Sequence, residues 1–267
     1  MNKYFFRGII NQKLIGIGFF VETELYRLTE NTHRGIKSPQ PPFVKGGVRG
    51  DLAEQKEILG YHVNTYFYIF KKKLIIMQKF KLIVGITGAT GAIYGIKLLE
   101  YLTKNDSVET SLVITEAAEI TIRHETDIKI DKIKSLADNV YDVNDIGVPL
   151  ASGSFKRDGM VIVPCSVKTM SSLANSLAMN LLLRAGDVTL KEKKPLVLAI
   201  RETPLHLGHL RNMVQLSEMG AIILPLCPSF YHKPKTIDEM VCFTVGRILD
   251  LLGISNTLSK EYQRNSK

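Results

Sequence analysis

The chain has 267 residues, 45% hydrophobic and 23% charged, the balance of an ordinary globular protein with room for one large or two small domains. Its formal charge of +9 is unevenly spread: residues 1–76 hold 12 Lys and Arg against 6 Asp and Glu, and the rest hold 23 against 20. The basic excess thus belongs mainly to the first quarter and gives no electrostatic footprint for nucleic-acid binding by the remainder.

Residues 1–76 are turn-rich around 39–50 and carry short aromatic patches such as 66–70, ended by Lys71, Lys72 and Lys73. Nothing there approaches the roughly 20 apolar residues of a membrane span. The apolar run 14–21 is followed by Glu22 and Glu24 without a small-residue cleavage site, which disfavours a secretory signal. The expectation is an extension over 1–76 that takes no part in the fold, such as an over-extended reading frame, and a working domain over 77–267 that opens at Met77.

From Met77 strands and helices alternate. Residues 80–84 read as a strand and 92–102 as a helix, with Ile93, Ile96, Leu99 and Leu102 at helical spacing. Strand 109–114 leads to helix 117–124, and 138–141 is a weaker strand. An apolar strand over 159–163 precedes helix 166–176. Strand 195–200, helix 207–219, strand 221–224 and helix 237–252 complete the pattern. Near-continuous apolar strands separated by helices predict a Rossmann-like three-layer α/β/α fold with a mainly parallel sheet. Ligands of such sheets bind at the carboxyl ends of the strands.

The loops after the strands therefore matter most. The first contains Gly85, Gly88 and Gly91, which let a backbone turn tightly and approach a phosphate at a helix N-terminus. The same pattern also serves strand–helix packing alone. Strand two ends in Thr115 rather than an acidic residue, so the carboxylate that would grip a dinucleotide ribose is missing. A hydroxyl there suits a mononucleotide phosphate or a ribityl chain. After the fourth strand, Ser166 and Thr169 offer hydroxyls beside a helix start, or simply cap it. Arg201 and Glu202 follow the fifth strand and put charge at the sheet rim, where it is costly unless paired or used on a ligand. Tyr231 and a cation, Lys233, follow the last strand.

Arg184, Lys191, Arg201, Arg211 and Arg247 supply cations for phosphate oxygens. No aspartate-rich motif for magnesium on a diphosphate is present, and His206 with His209 lacks a third metal ligand. Cys165, Cys227 and Cys242 lie in apolar contexts without metal spacing, which predicts small buried residues in a reducing compartment and a cytoplasmic protein.

Together, residues 85–91, 124–127, 151–155, 163–166, 187–192, 201–211 and 230–232 closely resemble the UbiX family of flavin prenyltransferases. The likeness runs in order over about 79–254. That family is similar in its flavin-binding fold to the homo-oligomeric flavin-containing cysteine decarboxylases. The resemblance implies FMN, metal-independent transfer of a dimethylallyl group from dimethylallyl phosphate to N5 and C6 of reduced FMN, and delivery of prenylated FMN to a UbiD-type decarboxylase. It implies sites built between subunits, commonly in a dodecamer. By the same resemblance Gly88, Ala89, Thr90, Thr115, Ser166, Val167, Lys168, Thr169 and Arg201 hold FMN, with Thr90 near N5. Glu125 lies near the reacting prenyl group, Lys191, Tyr231 and Arg247 grip the dimethylallyl phosphate with Arg184, and Glu202 is the proton partner. Many members carry a tryptophan near the C-terminus; this chain has none. A cysteine-type decarboxylase or a non-catalytic flavin-binding subunit are the alternatives. The first wants a catalytic His after the first helix, where only His124 occurs, and the second leaves the second phosphate site without purpose.

Overall fold

The computed structural model describes residues 79–258, so the expected boundary at Met77 and the extension over 1–76 lie outside the described residues. Six strands alternate with helices: β1 Phe80–Ile86, α1 Ala92–Leu102, β2 Val108–Ile114, α2 Glu116–Glu125, α3 Ile130–Lys134, β3 Asn139–Tyr141, β4 Gly159–Cys165, α4 Val167–Ala174, α5 Leu181–Lys191, β5 Leu196–Ile200, α6 Leu207–Glu218, β6 Ile222–Pro225 and α7 Ile237–Leu251. The sheet order is β3-β2-β1-β4-β5-β6, and every pairing is parallel.

The strands are apolar on both faces because both faces are covered. All seven residues of β4 and all five of β5 are buried. Alternation along β1 divides its side chains between two cores. Leu82, Val84 and Ile86 pack with Ile96 and Leu99 of α1 and with Val245, Ile248 and Leu249 of α7. Ile83 goes to the other layer, with Met160 and Ile162 of β4, Met170 of α4, Leu182 of α5 and Leu216 of α6. Close approach of α1 to the sheet needs Gly95, where an added Cβ would lie 2.5 Å from the Val163 carbonyl oxygen.

Two helices were not anticipated. The short α3 buries Ile133. More important is α5, because it carries Arg184 and Lys191 on one helix. The Asn180 side chain caps it by accepting from Leu183 N at 2.9 Å, and Leu181, Leu182, Ala185 and Val188 are fully buried. The cysteine expectation needs correction as well. Cys165 in β4 is buried, but Cys227 follows β6 in a rim loop and is exposed. Burial pushes the Cys165 thiol up to about 12.

Candidate functional site

The strand order reverses between β1 and β4, and the crevice outside the carboxyl ends of these strands is where such folds take ligands. Thr87 ties the two loops together there. Its hydroxyl donates to the Pro164 carbonyl at 2.7 Å and accepts from Ser166 N at 2.9 Å. Arg201 N in turn donates to the Cys165 carbonyl at 3.2 Å, which fixes the start of the β5 loop beside the β4 loop.

A cavity of about 430 Å³ opens at this crevice, lined by Thr87, Gly88, Thr115, Ser166, Lys168 and Thr169 among others. With Val143 and Asn144 after β3 and Glu116 after β2, four strand-following loops contribute hydroxyls, backbone, one ammonium and one carboxylate to a single space. Gly88 is required where the turn meets α2, since its Cβ would fall 2.6 Å from the Ala117 Cβ. Thr115 caps α2 by accepting from Ala118 N at 3.1 Å, and a capping hydroxyl keeps its own proton to donate. Ser166 caps α4, accepting from Thr169 N at 3.3 Å, so its hydroxyl stands at a helix N-terminus that favours anions. Asn180, Asn144 and Val143 also line the cavity and were not singled out in the sequence. An asparagine ahead of an apolar helical pattern was the available signal for the first of them.

Ala89, Thr90 and Val167 belong to the same two loops without lining that cavity. The Glu125 carboxylate, at the end of α2, reaches back to the glycine turn and accepts from Gly91 N at 2.9 Å and Ala92 N at 3.0 Å. Gly91 stands at the N-cap of α1 with φ of 96°, and no side chain of its own caps that helix. Glu125 supplies the missing acceptor and a negative charge where the helix dipole favours one. It therefore stands beside Thr90.

The remaining charged residues form separate groups. Arg201 lies within electrostatic reach of Tyr94 on α1. Burial raises the Tyr94 phenol above its ordinary range, while a hydrogen bond with Thr244 and the nearby Arg201 oppose the rise. Thr244 lies one helical turn before Arg247, which pairs with Asp250 at 3.0 Å. Tyr231 packs on His232, with ring centroids 4.1 Å apart, and edge-on against Phe243 of α7. The Glu202 carboxylate accepts from Thr203 N at 2.9 Å. On α5, Arg184 pairs with Asp187 at 2.9 Å and also donates to the Ala151 carbonyl at 3.2 Å, while Lys191 pairs with Glu192 at 3.1 Å. Leu183 at the start of α5 lines the cavity, whereas Lys191 stands about 12 Å further along the helix axis. Of the residues expected at the flavin, Gly88, Thr115, Ser166, Lys168 and Thr169 line the one cavity, and Ala89, Thr90, Val167 and Arg201 do not; none of Arg184, Lys191, Tyr231 and Arg247 lines it either. His206 and His209 stack with centroids 3.6 Å apart, and His206 accepts from Gly208 N to cap α6.

The donor set fits a flavin mononucleotide. Hydroxyls, a helix N-terminus and Lys168 suit a terminal phosphate, while the one carboxylate of the lining, Glu116, accepts from the Asn144 side chain at 3.2 Å. Comparison with known proteins agrees. The Flavoprotein family model matches residues 73–253. The chain is 50% identical over 187 residues to the flavin prenyltransferase UbiX of Thauera aromatica, covering 70% of this chain and 96% of that protein. Among solved structures, AnUbiX (PadA1) in complex with FMN and dimethylallyl pyrophosphate superposes with a TM-score of 0.68 at 42% identity, over 70% of this chain and 99% of the other. The dodecameric FMN-dependent UbiX-like decarboxylase of Escherichia coli O157:H7 gives 0.68 at 43% identity, over 69% and 100%. Such identity along nearly the full length of these relatives, together with the family match, makes the chain a member of the Flavoprotein family and, within it, of the UbiX flavin prenyltransferases.

Proposed function

We propose that this chain binds reduced FMN in the crevice between β1 and β4 and transfers to it a dimethylallyl group from a dimethylallyl phosphate. The observation that carries the reading is the hydroxyl- and amide-lined cavity at the switch point, with Arg184, Lys191 and Arg247 held in partly exposed ion pairs outside it. Holding FMN accounts for the cavity, and the second group of cations is available to an anionic co-substrate.

Thr87, Gly88, Thr115, Ser166, Lys168 and Thr169 hold the flavin, with Ala89, Thr90, Val167 and Arg201 completing its enclosure. Bound reduced FMN supplies the electron-rich ring that accepts the prenyl group. The protein's task is to bring the allylic phosphate to that ring, draw off its leaving group and keep water away. Arg184, Lys191, Tyr231 and Arg247 grip the phosphate, and their positive charge stabilises the negative charge that builds on it as the allylic C–O bond breaks. Glu202 would accept the proton that the ring gives up as its bond to the prenyl carbon forms, and pass it to the departing phosphate. Glu125 holds its negative charge at the glycine turn, where it favours the positive allylic fragment.

Lys191 stands well away from its own chain's cavity, which favours a site completed by a second copy, as in a dodecamer. The exposed Leu207, Leu210 and Val214, one face of α6, supply apolar surface for such an assembly. A UbiD-type decarboxylase takes the prenylated product in this scheme. Among the described residues no helix is long and apolar enough to cross a membrane, and we place the enzyme in the cytoplasm. Residues 77–267 carry the whole activity, so a chain starting at Met77 is expected to match the full one; an inactive product would overturn that assignment.

The test is anaerobic incubation of the protein with reduced FMN and dimethylallyl phosphate, followed by mass spectrometry of the extracted flavin. Gain of one C5 unit is expected, and unmodified FMN would refute the reading.

A further inference from the structure

Arg157 is a cation buried to 3% exposure just before β4, with no carboxylate bonded to it. The acids around it are engaged elsewhere: Asp158 with Lys81 N, Asp187 with Arg184 and Glu192 with Lys191. Its guanidinium instead donates to backbone carbonyls of Leu150, Ser152 and Ala185, at 3.1 Å to the first and 3.2 Å to the last, with a long contact to Phe155. Burial pulls the guanidinium below its ordinary range, with Glu192 opposing. A buried, unpaired cation costs stability that an apolar side chain of similar size would not. What its fixed fork of donors supplies is geometry, three backbone carbonyls held at once.

What that fork holds is the loop 150–155, and the same loop is held from outside by α5. Arg184 donates to the Ala151 carbonyl, between two of the carbonyls that Arg157 takes. At Gly153 the loop meets the side-chain ends at the close of α5: an added Cβ would lie 2.6 Å from Glu192 Oε1 and 3.0 Å from Lys191 Nζ. Arg157 also bonds α5 directly through the Ala185 carbonyl. Loop and helix are thus clamped to one internal group, and Arg184 and Lys191 are the side chains whose placement depends on it.

We propose that Arg157 is a positioning residue for substrate binding: it locks the 150–155 loop onto α5 and thereby sets Arg184 and Lys191 in the geometry that grips the prenyl phosphate. This rests on the assignment of those two cations to the phosphate. Arg157 itself touches neither flavin nor substrate.

Full-length protein carrying Arg157→Met or Arg157→Lys is compared with Lys191→Ala by varying dimethylallyl phosphate at saturating reduced FMN, with FMN affinity measured separately. Misplacing a binding group by an ångström costs up to about 100-fold, so about a 10-fold rise in KM is expected for Arg157→Met, with kcat and FMN affinity within about 3-fold of the parent. Lysine keeps the charge and loses the fork, so Arg157→Lys should fail to restore KM. Should Arg157→Met not fold, Arg157→Lys carries the test and is expected to raise KM without changing FMN affinity. A raised KM for Lys191→Ala beside an unchanged value for Arg157→Lys would overturn the role of Arg157 alone. Restoration by lysine would do the same. An unchanged KM for Lys191→Ala would remove the phosphate assignment and this inference with it.

Discussion

The Glu125 carboxylate accepts from the backbone N–H of Gly91 at 2.9 Å, across 34 residues of chain, and so joins the end of α2 to the start of α1. One side chain does two things in this arrangement. It satisfies amides that Gly91 cannot cap, and it fixes a negative charge at the mouth of the glycine turn.

Glu125→Gln keeps an acceptor oxygen and removes the charge. Loss of a favourable charge at a helix N-terminus costs roughly 0.3–1 kcal/mol, so the unfolding midpoint should fall by only a few degrees. FMN should stay bound. The single-turnover rate of prenylation should fall about 100-fold or more if the charge favours the allylic fragment. Equal rates with and without the charge would reduce Glu125 to a capping residue.

Lys191→Ala removes one phosphate-gripping cation and frees Glu192 from its ion pair. That pair is about half exposed on both sides, so its loss should scarcely change stability. Hydrogen bonds to a charged group are worth about 1.5–3 kcal/mol, which translates to a 10- to 100-fold weaker hold on dimethylallyl phosphate. Titration of FMN should give the parent value. Simultaneous loss of FMN would show that Lys191 belongs to the flavin site.

Much of this arrangement was legible because it is local. The sheet shows as apolar runs ended by glycines and caps, and Ser166 reads as a helix start from its position after β4. The helix α5 was missed because Arg184, Asp187 and Lys191 interrupt its apolar pattern and resemble ordinary surface charge, while the Asn180 cap passed unused. Glu125 and Arg157 lack any local signal for their partners. Their bonds reach backbone atoms of other elements, at Gly91 and at Ala185, and only the packed fold brings those together. Cys227 was misjudged for a related reason: apolar neighbours in sequence do not bury a residue placed at the rim.

Gly88→Ala tests the floor of the flavin site. The added methyl would overlap the Ala117 Cβ at 2.6 Å, with the Ala117 backbone at 3.1 Å behind it, so neither neighbour can swing aside. The turn must move away from α2. Overpacking of this kind costs about 1–3 kcal/mol, and the displaced loop should also release FMN. Calorimetry and flavin absorbance after gel filtration read the two effects. A stable variant that retains yellow flavin would contradict the close contact.

Cys165 provides the pH test. Burial raises its folded-state thiol to about 12, against an ordinary value near 9 for the unfolded chain. Below pH 9 the thiol is neutral in both states and contributes no pH dependence. Between about 9 and 12 the unfolded chain loses this proton while the folded protein keeps it, so stability falls as pH rises. Cys165→Ala should flatten the alkaline limb of the stability curve, at the cost of a small cavity in β4. In the native protein at pH 9, iodoacetamide should modify the exposed Cys227 and leave Cys165 untouched until denaturant is added, since the thiolate is the reactive form. Labelling of Cys165 at the rate of Cys227 in the native state would mean that the core beneath the β4 loop opens readily.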